Sequence, residues 1–224
     1  LYGNVKGSGS LDFENATGSF GLGASRDIYS QYRNLVFGTE LTNFTFDTVT
    51  PDDIFVINVN RSRYKQNLKP GTLNLKLSGS NGEFSLTDDS ITKTGSAVIT
   101  NIGRQFNIVS GSNGVMEGSV LAQTDSGSYG LFYPDAGILL FNAAAVSHSV
   151  GISVNRSSEV DGKNNESFYN AISRSGHFIL DSEEKITSQY YFTRIKNQEY
   201  NYTTNSSFIE TDGTLSFSSM NDNP

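Results

Sequence analysis

The sequence predicts a mainly β fold with short helices. This is an α+β chain of antiparallel sheets with a sandwich-like core and a flexible, glycine-rich N-terminal arm. Three observations carry that expectation. Apolar residues recur in short runs or strict alternation, as with Leu73, Leu75 and Leu77 around Asn74 and Lys76, the period of a half-buried strand. The apolar residues are large: 15 Phe and 11 Tyr stand in a chain only 36% hydrophobic and 17% charged, so each buried ring adds area that the sparse pattern lacks. Between them lie Ser, Thr, Asn and 22 Gly, which favour turns over long helices.

Residues 1–27 hold glycine at 3, 7, 9, 18, 21 and 23 between isolated Leu11, Phe13, Phe20 and Leu22, and read as an extended arm. Gly21-Leu22-Gly23 lacks the third glycine and the βαβ setting of a dinucleotide loop. Ile28, Tyr32, Leu35 and Val36 fall at helical spacing, predicting a helix near 28–36 with Ser25 or Asp27 as its cap. Phe44 to Phe46 and Ile54 to Val59 read as strands split by Thr50-Pro51-Asp52-Asp53, and the near-continuous second run predicts burial on both faces. Arg61-Ser62-Arg63-Tyr64-Lys65 is the concentrated basic patch, read as a solvated turn or a docking point for an acidic partner. Strands over Leu73 to Leu77 and Glu83 to Thr87 flank a turn at Gly79 to Gly82, and two more follow at Ala97 to Asn101 and Gln105 to Val109.

The strongest signal is a buried hairpin, Tyr129 to Tyr133 and Ile138 to Phe141. Pro134 suits the first turn position, Asp135 tolerates the next, and Gly137 can take the positive φ that closes a type I turn with a bulge. Ala143 to Val146 then forms a brief helix or a closely packed crossing. A further helix is predicted near 165–174, capped by Asn164 or Asn165, with Glu166 at its positive end, Phe168 and Ile172 on one face, and Gly176 as its stop. Phe178 to Leu180, a polar turn Asp181 to Lys185 and a return strand Ile186 to Lys196 predict a second hairpin. The organisation expected is therefore an arm at 1–27, a β-rich structural domain at 28–209, and at 210–224 a tail or the start of a further segment.

Chemistry is read mostly by exclusion. No cysteine is present, which removes disulfides and thiolate metal sites. His148 and His177 are too few for a histidine-built zinc site, and Asp88-Asp89 lacks the spaced oxygen ligands of a calcium loop. There is no Gly-x-Ser-x-Gly elbow, and Glu183-Glu184 falls in an expected turn without an apolar pocket. Seven Asn-x-Ser/Thr matches stand against roughly five from composition alone, so they do not point to glycosylation. A net charge of -7 opposes a nucleic-acid partner. No apolar run of 18 residues predicts a membrane span, and Leu1 opens no signal-peptide pattern. The expectation is a protein that is not an enzyme, uses no cofactor or metal, and works by assembly. Its interface candidates are Tyr29, Tyr32, Arg61, Arg63, Tyr64, Tyr200 and Tyr202, with Pro134, Asp135 and Gly137 as a structural turn.

Several longer stretches resemble a known family. They are Ile28-Tyr29-Ser30-Gln31-Tyr32-Arg33-Asn34-Leu35, Ile57-Asn58-Val59-Asn60-Arg61-Ser62-Arg63-Tyr64-Lys65, and Leu86-Thr87-Asp88-Asp89-Ser90. The series continues with Ile108-Val109-Ser110-Gly111, with Gly130 to Ile138, and with Tyr191-Phe192-Thr193-Arg194-Ile195-Lys196-Asn197-Gln198-Glu199-Tyr200-Asn201-Tyr202. Together they resemble virion structural proteins of large contractile-tailed bacteriophages, over nearly the whole chain. Family members usually read Glu-Phe-Asn-Tyr-Ser-Asn-Asn-Pro at the end of the last stretch. Here Tyr200 stands for the Phe, Thr203-Thr204 for the next two differing positions and Ser206 for the Pro. The resemblance implies a non-enzymatic particle component located in the virion and assembled in the host cytoplasm. Its partners would be other virion proteins and copies of itself, in the baseplate or tail first, then the neck or head surface. It also implies further β structure beyond this chain. A surface β domain that binds a host receptor or glycan is the competing reading.

Overall fold

A computed structural model describes residues 1–5, 24–92, 97–117, 128–154 and 162–194, together with Asn205, Ser207, Ile209 and Thr211. The chain divides into two compact units, Leu1–Lys185 and Ile186–Pro224. The first is a mixed α and β unit whose described residues form a large antiparallel sheet and three α-helices.

In chain order its elements are β1 (Tyr2–Asn4), α1 (Ser25–Phe37), β2 (Asp53–Asn58), a 3-10 turn (Arg61–Arg63), β3 (Asn67–Leu68), β4 (Asn74–Gly79) and β5 (Gly82–Asp88). There follow β6 (Val98–Thr100), β7 (Gly103–Ser112), β8 (Val115–Met116), β9 (Gly130–Tyr133), β10 (Ile138–Asn142), α2 (Ala143–Val150), α3 (Lys163–Ser175), β11 (Phe178–Ile179) and β12 (Ser182–Glu183). The ten-stranded sheet runs β1-β2-β10-β9-β7-β5-β4-β11, with β6 and β8 also paired to β7, while β12 and β3 form a separate pair.

The double-faced burial expected of the Ile54 run follows from strand period. Ile54 and Val56 join Leu131, Tyr133, Ile138 and Leu140 on one face, beneath Tyr29, Tyr32 and Val36 of α1. Phe55 joins Phe132, Leu139 and Phe141 on the other, against α2 and α3. Successive residues of a strand point to opposite faces, so one six-residue strand feeds two cores. On the second face Phe55 stacks on Phe168, ring centroids 4.4 Å apart. Asn142 ends β10 and caps α2, its Oδ1 accepting the N–H groups of Ala144 and Ala145 at 3.2 and 3.3 Å.

Several expectations are corrected. Tyr2 to Asn4 belong to no extended arm but to β1, paired with β2 and buried; residues 6–23 lie outside those described. Helix α1 starts three residues earlier than expected, and its first turn is closed by Ile28 N–H to Ala24 O with no side-chain cap. Its inner stripe is Ser25, Tyr29, Tyr32 and Val36, with Leu35 45% exposed. Phe44 and Phe46 are fully buried but not in a strand: Phe44 N–H donates to the Tyr29 hydroxyl at 3.1 Å, and a local Phe46–Val49 bridge replaces a ladder. Helix α3 starts at Lys163 after Gly162, whose φ is +75°, and has no Asn cap. Asn165 instead accepts the Tyr2 N–H at 2.6 Å, tying α3 to the edge of the sheet. The polar run Asp181 to Lys185 is not a turn, since Ser182 and Glu183 pair with Leu68 and Asn67. Of the expected return strand Ile186 to Lys196, residues 186–194 have no regular structure, and 195 and 196 lie outside those described.

Candidate functional site

The turn of the β9–β10 hairpin gathers the first unit's candidate residues. Gly137 has φ +72° and its N–H closes on Tyr133 O at 2.9 Å, the bulged turn that its sequence predicts. The stretch after β2 wraps this turn: Val59 N–H donates to Gly137 O and Leu68 N–H to Pro134 O, at 2.9 and 3.0 Å. Tyr64, 8% exposed, lies against Gly137 so closely that a Cβ there would meet its hydroxyl at 2.5 Å. The Arg61 guanidinium lies over that ring, 4.6 Å from its centroid, and donates to the carbonyls of Tyr64 and Lys65. The basic patch is thus largely a cover for the turn; Arg63 stays exposed.

Asp135 anchors the opposite side. Arg104 Nη2 and Nε reach Asp135 Oδ1 at 2.7 and 3.1 Å, and the Arg104 N–H donates to Oδ2 at 2.7 Å. Arg104 Nη2 also meets Glu183 Oε1 at 2.8 Å, and Lys65 Nζ meets Glu184 at 2.7 Å. Burial alone would push the Asp135 carboxyl up, but the hydrogen bonds and charge of Arg104 outweigh it and hold the carboxyl below the usual range. The hydrogen bonds that Arg104 donates to Asp135 and to Glu183 raise its pKa, although partial burial works against them. An open cleft of about 440 Å³ lies here, lined by Asn67, Arg104, Asp135, Glu183, Glu184 and Lys185. With both carboxylates of the Arg104 cluster occupied by its guanidinium, the arrangement suits a rigid charged surface better than proton transfer.

The second unit presents a different surface. Ile186, Tyr190, Tyr191 and Phe192 are 81%, 80%, 83% and 95% exposed. Four large apolar side chains within seven residues thus stand in solvent.

The chain has no match among protein-family models, curated proteins or solved structures.

The remaining candidates fall elsewhere. Tyr29 and Tyr32, expected at an interface, are core residues at 0% and 6% exposure, and burial raises both phenol pKa values. Tyr200 and Tyr202 lie outside the described residues. Asp88 and Asp89 are buried and already serve the backbone: Asp88 accepts from Gly71 N–H at 2.7 Å and Asp89 from Asn107 N–H at 2.8 Å. Among the described residues no group of three or more His, Asp or Glu is placed to hold a metal, and no helix is long and apolar enough to cross a membrane. The Arg104 cluster was not legible in the sequence, because Arg104 meets Asp135 from 31 residues away and Glu183, which reads as part of a polar turn, from 79. The nearest sequence signal was Gly103, whose φ of +111° leaves Asp135 the room to approach.

Proposed function

We propose that this chain is a structural subunit of a bacteriophage particle, in the tail or baseplate, that acts through protein–protein contacts and performs no reaction of its own. The particle assignment rests on the sequence resemblance. The observation that supports an assembly role is the exposed run Ile186 to Phe192, whose apolar area is stabilising only when a partner covers it. Its partners are other virion proteins and further copies of the chain. The glycine-rich N-terminal arm and the sandwich-like core expected from the sequence belong to the same proposal. Quantitative mass spectrometry of purified particles tests it. The expected result is a fixed, multiple copy number per particle; a chain made in infected cells but absent from particles contradicts it. The competing receptor reading draws on the same rings, which could stack on sugars. Loss of host adsorption with intact particles, after Tyr190→Ala and Phe192→Ala, would favour it.

A further inference from the structure

Among the described residues β11 pairs with β4, and residues 186–194 belong to no strand. Phe178 to Leu180 and Ile186 to Lys196 read as the two arms of a hairpin across Asp181 to Lys185. In the structure that linker is extended along the stretch around β3. Lys69 N–H donates to Asp181 O at 2.8 Å, β12 pairs with β3, and Lys185 N–H donates to Gln66 Oε1 at 2.9 Å.

Among the described residues strand β11 ends the sheet. Lys76 N–H donates to His177 O at 2.9 Å, and Phe178 stands opposite Leu75. Residues of an antiparallel ladder alternate in direction, so with His177 turned toward β4 the Phe178 N–H and C=O point outward. Phe178 and Ile179 are 39% and 50% exposed, an apolar edge of the kind that takes up another strand.

We infer that the β11 edge of one copy takes up the Ile186–Arg194 segment of a second copy as an added strand. This names the partner for the assembly surface proposed above and rests on that reading. In an added strand Tyr190 and Phe192 share one face of the sheet and Tyr191 takes the other. The charges fit. The segment Ile186–Arg194 carries Arg194 and no acid, whereas 177–185 carry Asp181, Glu183 and Glu184 with Lys185. Glu183 and Glu184 already engage Arg104 and Lys65, so the exposed Asp181 is the carboxylate available for steering. Such a head-to-tail contact closes into a ring or extends as a filament.

The chain has no cysteine of its own, which makes single cysteines clean reporters. Full chains carrying Ile179→Cys are mixed with chains carrying Tyr190→Cys or Phe192→Cys and oxidised gently. A mixed dimer exceeding both self-dimers is expected. It should be lost on adding Phe178→Pro, which removes the outward N–H yet spares the bonds to β4, or Phe178→Lys, which charges the edge without altering the backbone. Absence of the mixed dimer at all concentrations overturns the inference. So does a disulfide within the monomeric Ile179→Cys/Tyr190→Cys double variant, which would place the pairing inside one chain. Neither outcome touches the particle assignment, which the copy number in purified particles decides separately.

Discussion

At Gly137 two constraints act on one residue. Its φ of +72° penalises any side chain, and the Tyr64 ring occupies the space that a Cβ would need. Backbone strain and overpacking together should make Gly137→Ala cost roughly 2–4 kcal/mol, measured by urea unfolding. In a Tyr64→Ala background the same change should cost only the backbone part, about 1 kcal/mol. Equal costs in both backgrounds would show that the Tyr64 contact does not matter. The need for glycine at this position was legible in the sequence, because a bulged turn is local chemistry. The tyrosine above it was not, because Tyr64 arrives from 73 positions away in the chain and was read as part of a basic patch.

At the level of elements, the hairpin is held by a stretch that wraps it and by an ion cluster that pins Asp135. The Arg104 and Asp135 side chains are 32% and 25% exposed, so solvent screening limits what the pair contributes. Arg104→Met should destabilise the unit by about 1–2 kcal/mol, since several charge-assisted hydrogen bonds are lost at once. The same cluster sets an acid limit. The folded-state pKa of Asp135 lies below its unfolded value of about 3.9, so its contribution is complete above that value and is lost as pH falls through the folded pKa. Asp135→Asn should therefore flatten the fall in stability below about pH 4, read as urea midpoints across an acid series. Elements with a local pattern were legible: β2, β4, β5 and the β9–β10 hairpin fall where alternation and turn residues put them. The Asp181 to Lys185 stretch was misread because five polar residues look like a turn until β3 supplies a partner. The Phe44–Phe46 run was misread because fully buried rings resemble a strand even when a tyrosine hydroxyl, not a ladder, satisfies the backbone.

At the scale of the whole molecule, tyrosines carry much of the packing and set an alkaline limit. Burial raises the pKa of Tyr133, Tyr29 and Tyr32. Above about pH 10 these phenols ionise in the unfolded chain before the folded one, so the unfolded state holds fewer protons and stability falls as pH rises. Tyr133→Phe should make that fall shallower while giving up its hydrogen bond to Gln105, 3.0 Å long. Chemical denaturation at pH 7 and pH 11 separates the two effects. The central claim is that the chain works by being covered, through the aromatic run of its second unit. A side-chain-resolution map of the intact particle tests this most directly. Tyr190, Tyr191 and Phe192 should be buried against a neighbouring subunit; a map with all three facing solvent in every copy would contradict this.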